Sequence, residues 1–172
     1  MDLQSTIAQI GGKAAVGALA QKFGLDEKTT AGAVDALLPA ITDGLKKNTQ
    51  KEGGAEALVD AISSGKHTKY LDQPETLAAE ETVADGNGIL GHVLGSKEVS
   101  RMVAGQAAKT LGIDEKLAKQ MLPVVASLAM SGLAKQAEEK KEQGARKSDL
   151  LSEIGTMIGG GGDVGALLGK LF

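Results

Sequence analysis

Residues Val16–Leu45 return 88 positions further on as Ala104–Leu133, in one register and without a gap. No other feature of the chain restricts its fold as much. Each copy reads as a short apolar helix, a glycine turn, an acidic cap and a longer apolar helix. The turn is Gly24-Leu25-Asp26-Glu27-Lys28 in the first copy and Gly112-Ile113-Asp114-Glu115-Lys116 in the second. The same register pairs Gly17 with Gly105, Ala20 with Ala108, Phe23 with Leu111 and Val34 with Leu122. Further on it pairs Leu37 with Val125, Ile41 with Ala129, Gly44 with Gly132 and Leu45 with Leu133. Matches this dense imply a tandem duplication and two pseudo-equivalent, helix-turn-helix-like units.

Within the first copy, Val16, Leu19, Ala20 and Phe23 fall at i, i+3, i+4, i+7 on one helix face. Gly24 suits the left-handed position that stops such a helix, and Asp26 can cap the next one by accepting from backbone N–H groups. That second helix is expected over 27–47, with Ala31, Val34, Leu38, Ile41 and Leu45 on one stripe and Leu37 widening it. Pro39 removes a backbone donor and crowds the Asp35 carbonyl, so a kink is expected there. Pro123 stands one helical turn earlier in the second copy, on roughly the same face. Such prolines serve as packing kinks or as hinges.

Around the two copies the reading is more fragmentary. Leu3, Ile7 and Ile10 give a short helix ending near Gly11-Gly12, and residues 55–64 another, stopped by Gly65. Residues 66–73 read as irregular, and Pro74 opens a helix to about Ala84. Asp85-Gly86-Asn87-Gly88 is the strongest turn signal in the middle of the chain. It suggests an N-terminal unit over 1–86, a second unit over 87–158 packed with it, and a Gly-rich hinge with an apolar tail over 159–172. The piece Gly88–Gly95 is too short and too glycine-broken to be a stable isolated helix, so it must pack against something. Ser96 then caps a helix to Leu111, Lys135–Lys147 reads as a solvated helix end, and Ser148 caps a last face of Leu150, Leu151, Ile154, Met157 and Ile158. After Gly159-Gly160-Gly161-Gly162, helical spacing resumes with Val164, Leu167, Leu168, Leu171 and Phe172. The tail also echoes the middle segment: Gly86, Gly88, Gly91 and Gly95 correspond to Gly160, Gly162, Gly165 and Gly169.

Composition narrows the function more than it names it. Aromatics are 2% of the chain while Gly numbers 24, so the core must be built from Ala, Val, Leu and Ile on closely approaching helices. A net charge of −3 supplies no field that would gather nucleic acid or an anionic membrane. Zero cysteines exclude disulfides, thiolate chemistry and Cys-based zinc sites. The N-terminus shows no basic stretch followed by an apolar one, and the longest apolar run, Met121–Ala134, is too short to span a bilayer. A cytoplasmic protein without a transmembrane segment is expected.

Catalytic groupings are missing. His67 lies in a polar loop and His92 among apolar residues and glycine, and neither has a ligand or base partner at a recognisable spacing. There is no nucleophile elbow and no phosphate-binding Gly-rich loop followed by Lys. No catalytic, cofactor-binding or metal-ligating residue is assigned, no cofactor is expected, and no small-molecule substrate is evident. Ala20 with Gly24, and Ala108 with Gly112, resemble the core of a DNA-binding helix-turn-helix, which makes nucleic-acid binding the alternative function. The candidate reading helix opens Glu27-Lys28-Thr29-Thr30 with a single cation and no arginine, which disfavours it.

The string Gly88-Ile89-Leu90-Gly91-His92-Val93-Leu94-Gly95 resembles the hallmark of a bacterial YidB-like family, a domain of unknown function. Leu38-Pro39-Ala40-Ile41, Gly53-Gly54-Ala55, Met121-Leu122-Pro123-Val124 and the glycine-rich leucine tail carry the rest of the likeness, which runs over essentially the whole chain. The resemblance implies an all-helical bacterial cytoplasmic protein and brings no catalytic residues with it.

The expectation is therefore an all-α, multihelical protein of seven to nine helices with kinked long helices. Its expected role is non-enzymatic: protein–protein interaction, or self-assembly into a homo-oligomer through the C-terminal tail. The candidate interaction residues are Leu167, Leu168, Leu171 and Phe172 in that tail, and Ile89, Leu90, His92 and Val93 in the middle segment.

Overall fold

A computed structural model describes residues 3–158 apart from Gly65. Among the described residues the chain is all-α, with nine α-helices, one 3-10 turn and no strand. The helices are α1 (Leu3–Ile10), α2 (Gly12–Phe23), α3 (Glu27–Thr49), α4 (Gly54–Ser63), α5 (Lys69–Asp72), α6 (Glu80–Val93), α7 (Lys97–Leu111), α8 (Glu115–Glu142) and α9 (Lys147–Met157). The 3-10 turn, Pro74–Ala78, joins α5 to α6. The expected apolar tail, with Leu167, Leu168, Leu171 and Phe172, lies outside the described residues.

The architecture is α8 surrounded. Helices α1, α3, α4, α5, α6, α7 and α9 all pack on it, and Met121 to Ala134 are buried without interruption. An 18-residue window of α8 is apolar enough to cross a membrane, a longer stretch than its central apolar run alone suggests, and 83% of that window is buried inside the protein. Burial on every side costs α8 its polar face, so its hydroxyls need protein partners. Ser127 donates to the Thr82 carbonyl at 3.0 Å and Ser131 to the Thr68 carbonyl at 3.3 Å, tying α8 to the start of α6 and to the loop before α5.

Both glycine turns adopt the left-handed conformation that their sequence demands: Gly24 at φ 65°, ψ 33° and Gly112 at φ 67°, ψ 29°. In each, the next N–H bonds back to the preceding helix, Leu25 to the Ala20 carbonyl and Ile113 to the Ala108 carbonyl. Asp26 then accepts from the Thr29 N–H at 2.8 Å, and Asp114 from the Lys116 N–H at 2.7 Å. The hydrogen bonds from Thr29 hold the Asp26 carboxyl below its ordinary pKa. Beyond these turns the two stretches meet different surroundings. Pro39 in α3 is exposed whereas Pro123 in α8 is buried, so the two prolines do not share an environment. One long helix lies at the flank of the molecule, the other at its centre.

The structure corrects several local expectations, among them the helix from Pro74 to about Ala84, where a 3-10 turn ends at Ala78 and α6 starts only at Glu80. Asp85-Gly86-Asn87-Gly88 forms no turn: α6 runs straight through it. The reason is packing. A Cβ at Gly86 would fall inside van der Waals contact of the Pro123 backbone carbonyl, so glycine is what lets α6 cross α8. The 86/87 division therefore falls inside a helix. Second, Tyr70 is fully buried and organises a short helix, α5, in a segment read as irregular. Its hydroxyl donates a short hydrogen bond to the Asp85 carboxylate on α6. Burial, with that carboxylate beside it, pushes the phenol pKa upward and keeps it a donor. Third, Ser148 lies within α9. The helix starts one residue earlier, and the Asp149 carboxylate accepts from the Arg146 N–H at 2.8 Å.

Small residues set the other crossings as well. A Cβ at Gly44 of α3 would clash with Val93 of α6, and one at Gly132 of α8 would press on Ile7 of α1 at 2.8 Å. An aromatic-poor core is thus compensated by backbones that come close.

Candidate functional site

Several concave features arise from this packing. The first is a recess of about 330 Å³ between α3, α4, α6 and α8, lined by Leu45, Ala57, Leu58, Ala61, Ile89, Val93 and Met130, with Asn48, His67, Gly88 and His92 as its polar or open positions. It exists because α6 is anchored at both ends, by Gly86 on Pro123 and by Val93 on Gly44, which leaves the face between them standing off from α4. Asn48 of α3 helps to fix that geometry by donating to the His92 carbonyl at 3.0 Å.

Three of the four middle-segment residues singled out from sequence meet here. Ile89 and Val93 form the wall, and His92 stands exposed at the rim. Leu90 points the other way: at 6% exposure it belongs to the core. His67, read as a loop residue, comes to the same recess from the segment before α5. No local spacing could have joined two histidines 25 residues apart, because the tertiary fold alone brings them together.

The His67 Nδ1 is buried and has no hydrogen-bond partner in the protein. Burial lowers the His67 pKa from 6.5, against the pull of Asp85 and with a smaller push from Lys69 and Lys66. The folded state therefore favours the neutral ring. As pH falls through 6.5 the unfolded chain takes up this proton before the folded one does, so stability is full above that value and declines below it. Urea midpoints measured between pH 7.5 and 5.5 are expected to fall more steeply for the wild type than for His67→Gln. Parallel profiles would show that His67 titrates alike in both states.

The second feature is a groove between α1, α2 and α3, of about 580 Å³, with Ile7, Val16, Ala31, Val34, Leu38 and Leu128 as its apolar surface. Through Gln4 and Leu38 it joins a smaller recess of about 300 Å³, whose wall includes Met157 and Ile158. Lys13, Glu27, Lys28 and Asp35 line it with mixed charge.

Among the described residues no group of His, Asp or Glu side chains converges in a way that could hold a metal ion. In the second helix-turn-helix-like unit Lys97, Arg101 and Lys119 line a further recess, of about 620 Å³. The centre of α8 is buried, and the exposed positions of α3 include Lys28, Asp35, Asp43 and Lys47, whose charges cancel.

No curated protein and no solved structure shows a significant match to the chain. The model of a family described as bacterial protein of unknown function (DUF937) matches residues 5–136, from α1 through most of α8. The YidB-like resemblance of the Gly-Ile-Leu-Gly-His segment agrees with this assignment. Helices α2 to α7, both glycine turns and the α6 segment that walls the recess all lie inside that match, and the chain belongs to the DUF937 family of bacterial proteins.

Proposed function

We propose that this is a non-enzymatic cytoplasmic protein that assembles with copies of itself, residues 163–172 of one copy seating in the α1–α3 groove of another. One observation carries the reading: the groove shares Gln4 and Leu38 with a recess walled by Met157 and Ile158, and the apolar sequence of residues 163–172 follows these closely along the chain. Dimensions agree. Four glycines span at most about 13 Å, and ten residues of helix measure about 15 Å against about 24 Å for the stretch of α3 from Glu27 to Asp43. Exchange of a terminal segment between identical copies is a low-cost route to oligomers. The matching turns at Gly24 and Gly112 support an origin of the helix pairs by tandem duplication.

Light scattering across a hundredfold range of concentration tests this. The full chain is expected to gain mass with concentration, while deletion of residues 159–172 and the groove-filling Ala31→Arg should each leave a monomer. A full chain that stays monomeric, or a dimer that survives both changes, would overturn the proposal.

A further inference from the structure

The recess of about 620 Å³ between α6, the start of α7 and α8 has no part in the self-assembly reading. We infer that it is a binding site for a small phosphorylated molecule, a phosphate monoester whose anion meets Lys97, Arg101 and Lys119 and whose uncharged body lies against Leu90, Leu122 and Pro123. Its volume falls in the range of small-molecule sites. Charge selects the ligand. Three cations from two helices line the recess and no carboxylate does. Among the described residues Lys97 and Arg101 have no ion-pair partner. Lys119 bonds Glu115 at 2.7 Å, an exposed i,i+4 pair of small worth that an incoming anion can share. A guanidinium fork with two ammonium groups suits phosphate oxygens, which accept charge-assisted hydrogen bonds.

The composition of α7 points the same way. Lys97 opens the helix, where the dipole disfavours a cation, and Arg101 follows at i+4 as a like charge on the same face. Glu98, the acidic residue of that turn, is outside the lining. A sequence that breaks local rules without a packing reason marks a functional position.

The 88-residue offset supplies an independent comparison. It relates this lining to that of the α1–α3 groove: Ser96 to Ala8, Ser100 to Gly12, Arg101 to Lys13, Lys119 to Ala31, Leu122 to Val34 and Pro123 to Asp35. Corresponding positions thus line a hollow in each stretch, with different chemistry. The first balances Lys13 and Lys28 against Glu27 and Asp35. In the second a proline stands in place of the aspartate, a lysine in place of an alanine and serines in place of alanine and glycine, all of which favour an anion. The cations lie in a hollow, whereas reading a duplex needs an element that projects into its groove. A small ligand fits better.

The test is NMR of the full chain labelled on its backbone amides, titrated with phenyl phosphate at pH 7.5, where the ester is a dianion, in about 150 mM salt to screen weak surface attraction. Saturable shifts at Lys97, Ser100, Arg101 and Lys119 are expected, with Lys13 and Lys28 of the α1–α3 groove unmoved. Phenol, which lacks the charge, and inorganic phosphate, which lacks the body, should each bind at least about tenfold more weakly. Arg101→Gln should weaken phenyl phosphate about tenfold. Ser100→Asp puts a carboxylate into the recess from the opening turn of α7, where the helix tolerates one, and should abolish binding while helical circular dichroism is retained. Equal shifts at Lys13 and Lys28, phenol or inorganic phosphate binding as well as the ester, or undiminished binding in both variants would overturn the site. Shifts at these residues that appear only with duplex DNA, or only with vesicles of anionic lipid, would give the recess to a nucleic acid or a membrane surface and overturn it too.

Discussion

Gly86→Ala is expected to destabilise the protein by about 3 kcal/mol or more, whereas Gly88→Ala, two residues along the same helix, should stabilise it by about 0.5–1 kcal/mol. Helix propensity alone would make both substitutions favourable, since alanine is the better helix former at either position. The neighbours decide otherwise. At Gly86 the new methyl would collide with the carbonyl, carbonyl carbon and Cα of Pro123, all backbone atoms of a helix that is itself packed on every side. Neither partner can give way by rotating a side chain, so the crossing of α6 over α8 must open. At Gly88 the same methyl enters empty space. Urea unfolding followed by far-UV circular dichroism gives both values. Two substitutions of equal sign and size would mean that α6 and α8 do not touch where the structure places their contact.

That pair of glycines also marks where sequence reasoning reaches its limit. Gly24 and Gly112 were legible because a helix stop followed by an acidic cap is a local device, complete within five residues. Gly86 uses the same residue type for a tertiary purpose, and Asp85-Gly86-Asn87-Gly88 looks like a turn to any rule that sees only neighbours in the chain. The helix persists there because close packing on α8 outweighs the weak propensity of two glycines. The recess was legible only in part. The apolar face of Ile89 and Val93 announced that the segment must pack, but the approach of His67 depends on Tyr70 being drawn into the core and bonded to Asp85. Periodicity placed the prolines one turn apart on comparable faces, and could not say that one face would meet water and the other a helix.

The second large effect follows from the position of α8. Ala126 and Leu128 are two residues apart, about 200° around the helix, yet both are 0% exposed. An amphipathic helix at the edge of a bundle would leave one of them in solvent. Leu128→Ala is therefore expected to cost about 3 kcal/mol, from lost apolar burial and the enlarged space beside Val34 and Leu38. Ala126→Asp should cost about 4 kcal/mol or more at pH 7, because an unpaired carboxylate would be placed where no water or cation reaches it. Burial raises the pKa of the introduced carboxyl above its unfolded value, so the penalty is full at neutral pH and relaxes as the pH falls through that raised value. Chemical denaturation of both variants at pH 7 and pH 5 reads the two effects separately. If the aspartate is tolerated while the leucine truncation is not, α8 has a wet side and cannot be the post around which the other helices are arranged. If both fail, with the aspartate variant partly recovering at the lower pH, the central helix is dry all round.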